Sequence, residues 1–142
     1  DLRISSLDDW KDEDEVLFKA LNKHIKIYLQ HTDFLNDPNG ISYEQLTDTG
    51  YQIQRTSPSS GYTWHHDSMQ GLYVRTYGMR HSTFIWYLND IENDGYTEFV
   101  DGTKVQPKTG RMCIFPSTWN YYHRGYPPLD EIKYIVTGWL HA

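Results

Sequence analysis

Two stretches place an aspartate two residues after a histidine, His31-Thr32-Asp33 and His65-His66-Asp67. An imidazole and a carboxylate aimed at one point can hold a divalent metal. Two histidines and one carboxylate on one triangular face, with the other positions open, form the usual site of non-heme Fe(II) chemistry. The spacing alone is weak. With 7 histidines and 13 aspartates in the chain, chance supplies about 0.6 such pairs, so the local structure must decide. Side chains two apart on a helix diverge by roughly 200° and cannot share a metal. His31 ends a helical pattern, so its pair is set aside. On a strand, side chains two apart face the same side. His65 and Asp67 fall in strand-like sequence and share a face, with His66 on the other.

A third ligand must come from elsewhere in the chain. His123 lies in Pro116-Ser-Thr-Trp-Asn-Tyr-Tyr-His123-Arg-Gly125, and Lys133 follows ten residues later inside the apolar run 132–140. A lysine buried in such a run is costly unless it meets an anion, such as the carboxylate of a bound cosubstrate. On a solvated strand face it would simply alternate with Tyr134. Trp139 and His141 are two apart and share a face. Lys133, six before Trp139, shares it too if no bulge intervenes.

The elements that must position these groups change period along the chain. Residues 9–31 read as an amphipathic helix with an apolar stripe at Val16, Leu17, Ala20, Leu21, Ile25, Tyr28 and Leu29. Acidic residues crowd its first turns, where the helix dipole favours them. Residues 36–40, Asn-Asp-Pro-Asn-Gly, read as a loop, and 42–46 as a short helical piece. Strands are expected at 51–56, 62–67, 72–77, 82–88, 96–100, 103–106, 111–115, 121–125 and 132–140. Asp94-Gly95 and Asp101-Gly102 mark tight turns. Many short strands with a leading helix packed on one sheet predict a mainly β jelly roll. We expect one domain over 1–142, with 1–50 as helical support and 51–142 as the core.

Composition narrows the function classes. A formal net charge of −6 disfavours a nucleic-acid partner. The single cysteine, Cys113, excludes an internal disulfide and lies in the apolar run Met112-Cys-Ile-Phe115, as a buried structural thiol would. No apolar stretch approaches the roughly 20 residues of a membrane span, and no secretory leader is visible. A reducing cytoplasm is the default compartment.

Residues 51 to 141 resemble the 2-oxoglutarate/Fe(II) oxygenases, specifically the prolyl 4-hydroxylases and their small bacterial and viral relatives. The His-x-Asp…His-x(10)-Lys order appears as His65, Asp67, His123 and Lys133. Arg80-His-Ser-Thr83, Tyr87-Leu88-Asn89 and Gly95-Tyr-Thr97 resemble the Arg-x-x-Thr…Tyr-Leu…Gly-x-Thr run. Gly110-Arg-Met-Cys-Ile-Phe-Pro116 resembles the strand before the distal histidine, and Lys133 followed by Trp139-Leu-His141 resembles the ending. The resemblance implies a double-stranded β-helix of eight core strands. It implies Fe(II) on His65, Asp67 and His123, and 2-oxoglutarate held by Lys133 and Thr97. Arg80, Trp139 and His141 would line the substrate side. Dioxygen is then the co-oxidant, ascorbate an accessory reductant, and succinate and CO2 the coproducts of hydroxylating a prolyl residue in a peptide or protein. Asp67 favours hydroxylation over halogenation, because the halogenases of the family lack that carboxylate. One departure stands out. Many relatives carry a tyrosine nine positions before the first metal histidine, and here that position is Thr56. Tyr62 or Tyr73 are the candidates to replace its cosubstrate contact.

Two other readings compete. One is an oxygenase acting on a free amino acid, another side chain or nucleic acid. The other is a non-catalytic jelly-roll binding module, against which the complete set of ligand residues and Lys133 argue.

Overall fold

A computed structural model describes residues 1–32 and 38–142. Asp33, Asn36 and Asp37, named above in the His-x-Asp pair and the expected loop, lie outside the described residues. Pro38 and Asn39 form the turn expected there.

The chain forms β1 (Leu2–Arg3), α1 (Lys11–His31), β2 (Thr47–Asp48), β3 (Gln52–Thr56), β4 (Tyr62–His65), α2 (Leu72–Tyr77), β5 (Arg80–Tyr87), β6 (Thr97–Phe99), β7 (Lys104–Val105), β8 (Met112–Pro116), β9 (His123–Gly125) and β10 (Lys133–His141). A 3-10 turn at Asp8–Trp10 leads into α1, and another covers Tyr43–Gln45 in the expected helical piece. The strands make two antiparallel sheets. The larger runs β1-β3-β10-β5-β8, with β2 continuing along β10, and the smaller runs β4-β9-β6-β7. This is the jelly roll with one leading helix that the strand spacing predicts. Two short strands, β1 and β2, carry too few residues to show a period and escape sequence reading.

The central strands β5 and β10 are buried on both faces, so each side is apolar for a different reason. On one face Phe84, Trp86, Val136 and Leu140 pack against Leu21, Ile25 and Leu29 of α1, with Ile4 and Tyr51. Each such side chain contributes roughly 1.5–3 kcal/mol on burial. Leu17, Ala20 and Tyr28 flank this cluster, but Val16, placed in the stripe by sequence, is exposed. It lies one residue, about 100°, off the line through Leu17, Leu21 and Ile25. On the other face Ile85, Tyr87, Phe115 and Ile135 meet Phe99, Val105 and Cys113. Burial pushes the Cys113 thiol up to about 11, as an inert packed thiol requires.

Gly138 marks the tightest contact under α1. It pairs with Phe84 across β5 and β10, and a Cβ there would lie 2.5 Å from Phe84 Cζ and 2.6 Å from the Gly50 carbonyl oxygen. Backbone cannot yield as a flexible side chain does. Gly138→Ala is therefore expected to destabilise the protein by about 1–3 kcal/mol or more. Urea denaturation checks this, and an unchanged midpoint would contradict it.

Residues 72–77 are helical, not the strand expected from their Tyr, Val and Thr content. Gly71 and Gly78 bound them at φ of 64° and 84° and turn the chain at both ends. Within the turn Thr76 Oγ1 donates to the Leu72 carbonyl, and the rings of Tyr73 and Tyr77 sit 5.1 Å apart, as i,i+4 neighbours do. Among the described residues no helix is long and apolar enough to cross a membrane.

Candidate metal centre

His65 and His123 face each other directly as a cross-strand pair of β4 and β9. Their rings are 4.3 Å apart. Asp67 lies two residues past the end of β4, so its expected strand conformation is not observed. The chain leaves β9 after His65, and the carboxylate reaches the pair from the loop. Asp67 Oδ1 lies 3.6 Å from His65 Nε2, and its Oδ2 lies 3.7 Å from His123 Nε2. The three ligand atoms all lie within 4.8 Å of one another.

Both rings are oriented the same way. His65 Nδ1 donates to the Thr63 carbonyl at 2.7 Å, and His123 Nδ1 to the Tyr121 carbonyl at 2.9 Å. A carbonyl only accepts, so each Nδ1 carries a proton and each Nε2 is the nitrogen turned inward. Burial lowers the pKa of His123 and keeps it neutral. Two imidazole nitrogens and a carboxylate thus converge on one point. A cation at that point satisfies all three, and the backbone bonds are the supports that metal-binding histidines commonly have. His66 points elsewhere. Its Nδ1 meets Ser68 Oγ at 2.6 Å and its ring packs edge-on to Tyr122.

Further in between the sheets, Lys133 is buried, and among the described residues no carboxylate pairs with it. Its Nζ donates to the Gly95 carbonyl at 2.9 Å. Burial pushes its pKa down to about 8. Thr97 is buried nearby on β6, and its hydroxyl is 2.6 Å from that of Tyr87. Thr56 is the cross-strand partner of Lys133 and is buried beside it. Neither tyrosine considered as a replacement points here. The Tyr62 hydroxyl bonds the Asp1 carboxylate, and the Tyr73 hydroxyl bonds His141 Nε2 at 3.0 Å. The tyrosine beside Thr97 is instead Tyr87, which the sequence shows in its Tyr-Leu run without a role. It is fully buried, and burial raises its pKa, so it stays a neutral donor. Its odd parity with Thr83 and Ile85 on β5 was the available signal.

Arg80, Trp139 and His141 come together on the other side of the site. The Arg80 guanidinium lies 3.7 Å from the centre of the Trp139 ring, and its Nη1 donates to the Asp67 carbonyl at 3.3 Å. A bulge makes this possible. Strict register would set His141 opposite His81, but it pairs with Arg80, so two residues of β5 answer to one step of β10. The extra residue turns Arg80 from the α1 side onto the face of the site. Alternation along β10 is undisturbed, so Lys133, Trp139 and His141 share a face as expected. Arg80, Trp139 and His141, with Tyr73 and Tyr77, line a cleft of about 710 Å3. Arg80 Nε, Trp139 Nε1 and His141 Nδ1 are buried there without a hydrogen-bond partner, and only the Tyr51 hydroxyl shares that condition among the described residues.

Residues 51–141 match the profile of the 2OG-Fe(II) oxygenase superfamily. Among solved structures the chain is similar to the viral collagen prolyl hydroxylase of Paramecium Bursaria Chlorella virus-1 in its 2OG complex. The TM-score is 0.62 at 26% identity, covering 82% of this chain and 71% of that one. It also shares its fold with a Pseudomonas putida prolyl-4-hydroxylase, with a TM-score of 0.52 at 20% identity over 64% of this chain and 51% of that one. A Trichoplax adhaerens prolyl hydroxylase, in complex with a hypoxia inducible factor oxygen degradation domain peptide fragment, shares the fold too. There the TM-score is 0.56 at 23% identity over 67% of this chain and 44% of that one. No curated protein sequence matches.

Proposed function

Since the chain belongs to the 2OG-Fe(II) oxygenase superfamily, we propose that it is a dioxygenase that hydroxylates a prolyl residue in a peptide or protein. The observation that carries the oxygenase reading is the convergence of three ligand atoms, from His65, Asp67 and His123, within 4.8 Å of one another. Iron(II) bound by these residues, with 2-oxoglutarate and dioxygen, supplies the oxidising power: one oxygen atom enters a substrate C–H bond, the other enters succinate, and CO2 leaves. The chain's own residues bind and orient. Lys133 and the Thr97–Tyr87 hydroxyl pair receive the distal carboxylate of 2-oxoglutarate, an ammonium and two neutral hydroxyls for one anion. The sheets on both sides exclude water, which strengthens that pairing.

Support for a peptide comes from the cleft beside the metal site. Its unpartnered nitrogens include an indole N–H and a guanidinium N–H, which can only donate. Carbonyl oxygens of an extended peptide are acceptors of the kind these donors lack. The rings of Trp139, Tyr73 and Tyr77 offer flat walls of the kind on which proline packs. A volume of about 710 Å3 also exceeds what a single free amino acid fills. The similar viral protein is a collagen prolyl hydroxylase, which agrees with this reading.

The expected result is that proline-rich peptides stimulate Fe(II)-dependent consumption of 2-oxoglutarate and gain one oxygen atom at proline by mass spectrometry. Free proline should not substitute for them. If a broad panel of proline-containing peptides stays unmodified while iron and 2-oxoglutarate bind, the prolyl reading fails and the oxygenase reading stands.

A further inference from the structure

Asp67 Oδ1 faces His65 Nε2 and Oδ2 faces His123 Nε2 at nearly equal distances, and the two oxygens differ in that Oδ2 also receives a side-chain donor. Thr83 Oγ1 donates to Asp67 Oδ2 at 2.7 Å. Thr83 Oγ1 is in turn 2.9 Å from Ser117 Oγ. The Thr83 proton is already committed to the carboxylate, so Ser117 donates to Thr83. The bonds run one way, Ser117 to Thr83 to Asp67, and each polarises the next. Thr83 and Ser117 are 2% and 1% exposed, so bulk water cannot supply these bonds in their place.

The fold holds both hydroxyls rigidly. Thr83 lies in β5 between Trp139 of β10 and Phe115 of β8, with its side chain on the face of the site. Ser117 follows β8 directly, and its backbone N–H donates to the His81 carbonyl at the bulge. Asp67 itself lies beyond the end of β4, where no ladder fixes it.

We propose that Thr83, backed by Ser117, is a positioning residue that reserves Asp67 Oδ2 and leaves Oδ1 as the single oxygen offered to the metal. A carboxylate gripping the ion through both oxygens would occupy one more position on it. Holding one oxygen back keeps that position for cosubstrate or dioxygen. The inference rests on His65, Asp67 and His123 being metal ligands.

The test uses Co(II), whose visible absorption reports coordination, added to the metal-free protein without cosubstrate. Thr83→Val keeps the shape and removes the hydroxyl. We expect it to weaken Co(II) by about 10- to 100-fold, the usual scale for a group that supports a ligand. Its Co(II) absorption should also change in intensity, and Thr83→Ser should restore both. Ser117→Ala, one bond further away, should lower affinity by a few-fold with unchanged melting of the metal-free protein. If Thr83→Val does not fold, the Ser117→Ala titration decides, and wild-type Co(II) affinity there overturns the proposal. A folded Thr83→Val with wild-type affinity and spectrum overturns it as well, and so does a Thr83→Ser as impaired as Thr83→Val. If the wild-type protein itself binds no Co(II), the metal reading fails, and this inference fails with it.

Discussion

Replacing His65, Asp67 or His123 by alanine is expected to abolish Fe(II)-dependent turnover of 2-oxoglutarate. Each residue supplies one of three ligand atoms that lie within 4.8 Å of one another. Removing a group that only supports a metal ligand costs up to about 100-fold in affinity, so removing a ligand should cost more. The three variants differ in what else they disturb. His65→Ala leaves the rest of the site packed, because His65 is the most exposed of the three. His123→Ala opens a hole beside Phe99 and Phe115 and should also lower stability. Asp67→Ala strips the Thr83 hydroxyl of its acceptor. His66→Ala is the control, since its ring bonds Ser68 and faces Tyr122 instead. Metal titration followed by tryptophan fluorescence, with Trp64 adjoining the site in sequence, reads all four. Full metal affinity in the three ligand variants would refute the assignment.

Lys133→Ala should weaken 2-oxoglutarate by about 10- to 150-fold. A hydrogen bond to a charged group contributes about 1.5–3 kcal/mol, and this one forms where water does not compete. The pH dependence adds a second readout. Burial pushes Lys133 down to about 8, so the ammonium present at neutral pH is lost as pH rises past that value. Affinity for the dicarboxylate should fall over the same interval in the wild type and stay flat in Lys133→Ala. Stability of the cosubstrate-free protein runs the opposite way. Between about 8 and the ordinary lysine value near 10.4, the unfolded chain holds a proton that the folded one has released. Stability attributable to this group therefore rises with pH across that window. Calorimetric titration of 2-oxoglutarate with the metal-loaded protein at pH 7 and 9 checks the first trend. Equal affinities at the two pH values would contradict the assigned role.

The residues of the site were legible from the chain to the extent that their geometry is local. Side chains on a strand alternate strictly, so the common face of Lys133, Trp139 and His141 follows from their numbers alone. The 3.6-residue stripe of α1 is equally local and predicts the burial of Leu21, Ile25 and Leu29. The ordered resemblance along residues 51–141 brought in His123, which no local rule could have tied to His65.

What lies between strands was decided only by the tertiary structure. The direct pairing of His65 with His123 depends on β4 meeting β9 in one register, and register is a property of two distant segments. Arg80 reaches the site through a bulge that no local pattern announces. Its parity in sequence would have sent it under α1. Residues 72–77 have strand-like side chains, yet two glycines with positive φ cut them from the neighbouring strands and leave a single helical turn and a half. Tyr87 and Thr97 meet across the two sheets, and Thr83 meets Asp67 and Ser117 from three separate segments. Hydrogen bonds of that kind carry no periodic signature, because the residues that make them are neighbours only after the sheets have closed on each other.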